Sequence, residues 1–526
     1  MKPLADLRRY GRFALRLREA LRHPITLEAA RDTVRRRIAE RDDNFLRTVE
    51  HAIYRNPRSP YLPLLRRAGL EIGAIRDMVR AEGMEQALQR LRRSGVYVTL
   101  DEFKGRAPIV RDGFVLPVTA GDFDNPNLAP DFHGDSGGTT GPGTRVGISL
   151  DGLVAGAPHF LLAYEAHGIL GVPRALWRGV LPDATGVNLL LRGGALFGQV
   201  PVKWFTPFSS RDRTLSGRAR LATQVILAIG RLSGVPLPRP ERVTLEQAVV
   251  LARWAVETSR IHGGCVINCN VSNALRVCLA AREHQLDLQG TTLMGGGEPP
   301  TPAKVRQITS TGARWIPTYA FTEAGPAGVG CARPTGGEDV HLLMDVLALI
   351  QAPREVAGTG FTVPAFYFTS LLPTANKIML NAEIGDYGVV ENRPCGCRLE
   401  DYGLTVHLRQ IRSFGKLTSE GMALLERDIV RILEEVLPAR FGGSPLDYQI
   451  VEEEDTEGFT RLNLLVSPRI PIADDAEVVA AVLEHLVGGP HTMWAQARTV
   501  RVRRIEPIVT SRGKMTPLHL AKRTER

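Results

Sequence analysis

Leu293-Met294-Gly295-Gly296-Gly297-Glu298-Pro299-Pro300 and, shortly after it, Trp315-Ile316-Pro317-Thr318-Tyr319-Ala320-Phe321-Thr322-Glu323-Ala324-Gly325 are the stretches on which the reading of this chain turns. An apolar run entering three glycines predicts a strand that ends in a tight turn, where a ligand can approach the backbone. The second stretch offers a ring face, a hydroxyl and a carboxylate within one turn. Such a carboxylate can hold Mg²⁺ against a triphosphate, because Mg²⁺ takes few protein oxygens and fills its shell with phosphate oxygens. A lone Thr-Glu pair is also what a helix N-cap looks like. Upstream lies Asp135-Ser136-Gly137-Gly138-Thr139-Thr140-Gly141-Pro142-Gly143-Thr144-Arg145. Its glycines admit close backbone approach and its hydroxyls add donors, a composition that can cradle phosphate. No Lys-Ser/Thr pair closes it, so it is not the Walker pattern. The same composition also serves as a flexible surface loop.

Outward from these stretches, glycine-rich turns alternate with apolar runs from about residue 130 onward. Strand, turn and helix in alternation predict an α/β architecture with helices covering a largely parallel sheet. Residues 1–110 read as a polar, mainly helical lead-in. Leu7, Tyr10, Ala14, Leu17 and Leu21 form one helical stripe, short and interrupted, which fits a terminal helix docking on its own protein better than one lying on a membrane. The character shifts again near residue 412. A helix over 422–437, an acidic loop over 452–457, a strand over 461–466, a helix over 475–487 and a strand over 499–505 are expected there. The division is therefore a large domain, 1–411, and a small mobile α+β domain, 412–526, with a hinge at 412–416 in which Gly415 gives backbone freedom and Lys416 a polar residue able to change partners.

The chain has 526 residues, enough for several cores, with 44% hydrophobic and 23% charged residues. That is ordinary globular composition and excludes disorder throughout. Arginines interrupt every short apolar run near the start, so neither a secretory signal nor a membrane-spanning helix is expected. Six cysteines in so long a chain do not make a disulfide scaffold, and a reducing cytoplasm is the simplest setting. The net charge of +10 is spread along the chain and not interleaved with aromatics, so nucleic acid is not an expected partner.

The order of SGGTTG-like, GGGEPP and YAFTEAG stretches resembles the adenylate-forming superfamily, most nearly the phenylacetate–CoA ligase-like enzymes and the acyl-protein synthetases related to them. The resemblance spans about residues 50–520. It implies a large multi-layer α/β N-terminal domain with a small lid, and an ATP-dependent ligase that makes an acyl-AMP with Mg²⁺. Ser136, Gly137, Gly138, Thr139, Thr140 and Gly141 would cradle phosphates. Gly296, Gly297, Glu298 and Pro299 would line the adenine, with Tyr319 near the base. Thr322 would serve the α-phosphate, Glu323 the magnesium and Asp386, in Gly385-Asp386, the ribose. Pocket residues for the carboxylic acid would come in part from residues 160–204. The chain departs from the family in Gly137-Gly138, in the missing lysine of the phosphate loop (Arg145 is the nearest cation), in Ala320-Phe321, and in Asn381-Ala382-Glu383-Ile384 before Gly385.

Adenylation brings a carboxylate against the α-phosphate, so the site must neutralise charge as the bond forms. Lys514, in Arg512-Gly513-Lys514, matches the family's terminal catalytic lysine; without that match it would read as a solvated lysine. Relatives also carry a Cys, a His and a Cys-x-Cys that bind zinc, matched by Cys331, His341, Cys395 and Cys397, which read otherwise as buried free cysteines. Cys265, Cys269 and Cys278 read as core. The acceptor of the acyl group is expected to be coenzyme A. Transfer to a protein thiol or carrier, and a non-catalytic nucleotide-binding homologue, are the other readings. A homodimer is compatible with all three.

Overall fold

A computed structural model describes residues 2–135, 145–181, 183–207, 217–297, 299–300, 302–355, 362–413, 416–419, 422–425, 432–443, 447–454, 460–485, 499–508 and 518–520. The chain opens with helices α1 (Lys2–Arg22), α2 (Leu27–Ala39), α3 (Arg41–Val49), α4 (Tyr61–Arg67), α5 (Ile72–Glu82), α6 (Met84–Arg93) and α7 (Leu100–Phe103). Their ends are set locally. Thr26 caps α2 by accepting from the Ala29 amide, and Thr99 with Glu102 forms a capping box on α7. Phe13, Leu17 and Leu21 of α1 are buried in the main core, so the helix docks on its own protein as its short stripe implies. No helix of the described residues is long and apolar enough to cross a membrane.

The hairpin β1 (Ile109–Arg111) and β2 (Phe114–Leu116) follows. β3 (Phe132–Asp135) and β4 (Arg145–Ile148) then pair antiparallel on either side of residues 136–144. Helix α8 (Leu150–Ala166) starts at Ser149, whose hydroxyl accepts from the Gly152 amide at 3.1 Å. The main sheet comprises β5 (Arg174–Trp177), β6 (Lys203–Thr206), β7 (Pro240–Arg242), β8 (Cys265–Asn270), β9 (Thr291–Gly296), β10 (Arg314–Phe321), β11 (Gly325–Gly330), β12 (Val340–Leu342), β13 (Leu347–Glu355), β14 (Thr362–Ser370), β15 (Ala382–Asn392) and β16 (Val406–Ser413). These twelve strands run in the order β13-β14-β15-β16-β12-β11-β10-β9-β8-β5-β6-β7. Strands from β7 to β10 pair parallel, and from β10 to β13 antiparallel.

The parallel half is buried on both faces, as crossover helices require. In β8, Cys265, Ile267 and Cys269 join the core under helices Ala248–His262 and Val271–Glu283, while Val266 turns to the opposite core under α8. Cys278 is buried in the same helical core, so these three cysteines are structural. The antiparallel half shares its core with α3 to α7.

A separate four-stranded sheet, in the order β21-β20-β19-β22, is built from β19 (Tyr448–Glu454), β20 (Thr460–Val466), β21 (Val500–Arg503) and β22 (Leu518–Leu520). With the helix Asp475–Glu484 it encloses its own core of Ile450, Leu464, Val478 and Val482. The expected helix over 422–437 is corrected. Met422–Leu425 is strand β18, paired antiparallel with β17 (Lys416–Ser419), and Ile432–Val436 is helical. Four apolar residues in a row carry no period, so they fit a strand as well as a helix. The expected acidic loop is likewise partly strand, since β19 continues to Glu454.

Asn381 locks the helical lead-in to the sheet. It sits at φ 51°, and its side-chain amide donates to the carbonyls of Leu88 (2.9 Å) and Val96 (3.1 Å). The Asn381-Ala382-Glu383-Ile384 departure thus has a structural reason at its first residue. Asn381→Leu strands two carbonyls and strains the left-handed backbone. A loss of about 2–4 kcal/mol in urea-unfolding stability is expected, and a loss under 0.5 kcal/mol would deny the lock.

Candidate active site

Among the described residues, β10 is the one strand of the main sheet with a parallel neighbour on one side and an antiparallel one on the other. The site lies at its end. Pro317 pairs with Gly295 of β9, and a bulge between Tyr319 and Ala320 ends the regular ladder with β11. Gly296 passes so close that a Cβ would lie 2.0 Å from the Thr318 carbonyl oxygen. The glycine run therefore lets β9 and β10 approach each other, as well as leaving backbone open. Gly297, at φ 88°, turns the chain away.

Thr322 and Glu323 occupy the turn from β10 to β11. Glu323 is buried and ion-paired with Lys104, one residue past α7. Tyr319 donates its hydroxyl to Asp386 Oδ2 at 2.8 Å, and Ser413 donates to the other Asp386 oxygen. Burial and the Asp386 carboxylate hold the Tyr319 phenol well above its ordinary pKa, so it remains a donor. Gly385, at φ 86°, sets Asp386 into this position on β15, opposite Ser413 of β16. Two motifs far apart in sequence thus meet through one hydrogen bond. Pro299 lies just past β9 and is described without a polar contact to these groups. Ser136, Gly137, Gly138, Thr139, Thr140, Gly141, Glu298, Gly415 and Lys514 lie outside the described residues. The expected hinge begins inside β16, and Lys416 opens β17.

The four zinc candidates are together. One donor atom each from Cys331, His341, Cys395 and Cys397 lie within 4.8 Å of one another. His341 Nε2 is 3.2 Å from Cys397 Sγ and 3.7 Å from Cys395 Sγ. A tetrahedral zinc with bonds of about 2.0–2.3 Å asks for about 3.5 Å between such donors. The Leu404 carbonyl accepts from His341 Nδ1 at 2.6 Å, which leaves Nε2 to face the sulfurs. The Cys331 hydrogen bond, with help from His341, pushes the Cys397 thiol down, and the same bond pushes Cys331 up. The cluster thus favours at least one thiolate. Asp339 and His407 approach Cys331 as well. Asp339 is already engaged by His407 Nδ1 at 2.7 Å and by Arg393, so the sulfur-rich set is the one free to take a metal.

No family model matches this chain, and no curated protein matches it in sequence. Among solved structures, 2-hydroxyisobutyryl-CoA ligase in complex with 2-HIB-AMP and CoA, in its thioesterification state, superimposes with a TM-score of 0.53 at 15% identity, covering 95% of this chain and 91% of that one. This chain shares the fold of that ligase. The amide bond synthetase McbA from Marinactinospora thermotolerans is similar at a TM-score of 0.43 and 14% identity, over 91% of this chain and 93% of that one.

Reading the sequence missed Lys104, Ser413, and two buried residues beside the Thr322–Gly325 turn, His159 and Arg192. Lys104 sits in Phe103-Lys104-Gly105 with no motif to mark it. Arg192 had a signal: with Asp183, it is one of only two charged residues between Gly179 and Val202. Lys104→Met takes the cation from buried Glu323. A loss of about 3 kcal/mol in denaturant unfolding is expected, and adding Glu323→Gln to that variant should recover part of it. Equal stability of Lys104→Met and wild type would mean that the pair does not form.

Proposed function

We propose that this protein is an ATP-dependent carboxylate-activating ligase of the phenylacetate–CoA ligase kind, which makes an acyl-AMP and passes the acyl group to coenzyme A. The observation that carries this reading is the Tyr319–Asp386 hydrogen bond beside Thr322 and Glu323 at the sheet's junction strand. It joins the residues expected at the base and at the ribose, in a fold shared with a ligase solved with an acyl-AMP and CoA.

In this reading Tyr319 stacks near the adenine, flanked by Gly296, Gly297, Glu298 and Pro299, and Asp386 accepts from the ribose hydroxyls. Residues 136–141 surround the phosphates, and Thr322 donates to the α-phosphate. Glu323 holds magnesium, which offsets triphosphate charge; its pairing with Lys104 marks it as an ionised carboxylate. Lys514 brings the cation that the approach of two anions demands. The small unit from residue 412 onward acts as a lid hinged at 412–416, so that one position closes over adenylation and another admits the thiol.

Pyrophosphate exchange over a panel of acids tests the first half-reaction. Exchange with at least one acid is expected, and Lys514→Ala should lower it by a factor on the order of 10²–10³ with ATP affinity within a few-fold. Unchanged exchange in that variant would remove Lys514 from the chemistry. Adding coenzyme A or a carrier thiol to preformed adenylate then identifies the acceptor.

Cys331, His341, Cys395 and Cys397 hold one structural zinc in this reading, supported by the spacing and burial of their donors. Elemental analysis of protein purified without added metal should give about one zinc per chain. Replacing Cys395 and Cys397 by serine should abolish it, and zinc that persists in the double variant would place the metal elsewhere.

A further inference from the structure

Arg192 follows helix α9 (Thr185–Leu191) and is 7% exposed. No carboxylate among the described residues meets its guanidinium, and its Nε has no hydrogen-bond partner. Burial alone pushes its pKa down, to about 10, which leaves it protonated at neutral pH. Arg174, comparably buried, also keeps one guanidinium nitrogen without a partner but has others engaged. It donates to the Gly193 carbonyl and stacks 4.6 Å over the Tyr164 ring. Arg192 has no such arrangement. A buried charge without a counter-charge is costly, and folds keep one where something else offsets it.

The surroundings make room for this side chain. A Cβ on Gly156 of α8 would lie 2.9 Å from Arg192 Cδ, and a Cβ on Gly325 would lie 2.8 Å from Nη1. Arg192 and His159 line one open cleft, with Ala155, Leu343 and Val346 among its apolar walls. His159 Nε2 is held by Asp345 at 2.8 Å, and its Nδ1 is buried without a partner. Asp345 is committed to His159 and to Arg37 (3.6 Å), and so does not neutralise Arg192. The cleft offers a fixed cation in an apolar wall, which is the chemistry of a carboxylate site.

The cleft adjoins the adenylation residues, because Gly325 is two residues past Glu323. The reacting carboxylate itself is a poor occupant. A full ion pair would stabilise the nucleophile in its ground state and would be broken as the anhydride forms. A spectator carboxylate keeps its pairing through both half-reactions. We propose that the acid activated here carries a second carboxylate, and that Arg192 holds that group. This rests on the ligase reading for the word activated, but not for the binding.

Two measurements separate the two claims. Direct calorimetric titration without ATP compares malonate, succinate and glutarate with propionate, butyrate and valerate. At least one diacid is expected to bind tenfold or more tighter than its monoacid counterpart. Arg192→Met should erase that preference, and the unliganded variant should melt above wild type, because an uncompensated charge is gone. Arg192→Lys keeps the charge without the forked donors and should retain the fold with the diacid weakened tenfold or more. Pyrophosphate exchange over the same acids should follow the same order. Diacid binding that depends on Arg192 but never supports exchange overturns the ligase reading and leaves the site. Equal binding of diacids and monoacids, no diacid binding at all, a preference that survives in Arg192→Met, or a Met variant that melts below wild type overturns the site.

Discussion

The backbone contact between Gly296 and Thr318 is the constraint from which the rest of the structure follows. At that point β9 and β10 run so close that no side chain fits between them. This holds the last parallel pair of the sheet in register just where β10 begins to pair antiparallel with β11. A sheet that changes sense at one strand leaves a crevice there, because the connections on the two sides leave in different directions. Tyr319, Thr322 and Glu323 stand at that crevice because they are the residues that end β10. The bulge at Tyr319 turns its ring off the ladder and toward Asp386.

Several buried acids of the large domain face a cation, while Asp386 is met by two hydroxyls and Arg174 by a carbonyl and a ring. Glu323 faces Lys104, Glu102 faces Arg111, Asp339 faces His407 and Arg393, and Asp345 faces His159 and Arg37. Except for Glu102 and Arg111, which are near in the chain, each acid sits with a cation from a distant segment, so those pairs are also cross-links between helical lead-in, sheet and connections. Losing one partner is costly in each case, since the other cannot return to water. Arg192 has neither a carboxylate, a carbonyl nor a ring among the described residues, and it lies beside the β10 turn.

Much of the fold could be read from the sequence because its signals are local. Three glycines after an apolar run marked the end of β9, and the alternation of runs and turns marked the parallel half. The zinc candidates could be grouped only through a family's order of residues, since Cys331 and Cys397 are far apart in the chain with strands β12 to β15 between them. Met422–Leu425 was misread because an apolar tetrad has no phase. Lys104 was invisible for another reason: a single lysine after a short helix has nothing to set it apart from a solvated one, and only tertiary packing turns it toward Glu323. Arg192 stood in view as a solitary cation within an apolar stretch, but its meaning depends on the acids that are absent around it, and a sequence does not display absences in space.

Asp386 has two oxygens, and the protein itself uses both, one for Tyr319 and one for Ser413. Ser413 is the last residue of the large sheet before the chain leaves for the small unit. Each oxygen keeps a second lone-pair site, so a hydroxyl that a ligand presents to Asp386 can add to these bonds without displacing either. The two protein hydroxyls hold the carboxylate in one orientation before any ligand arrives. The acceptor is preset, and the end of β16 is one of the two places that set it.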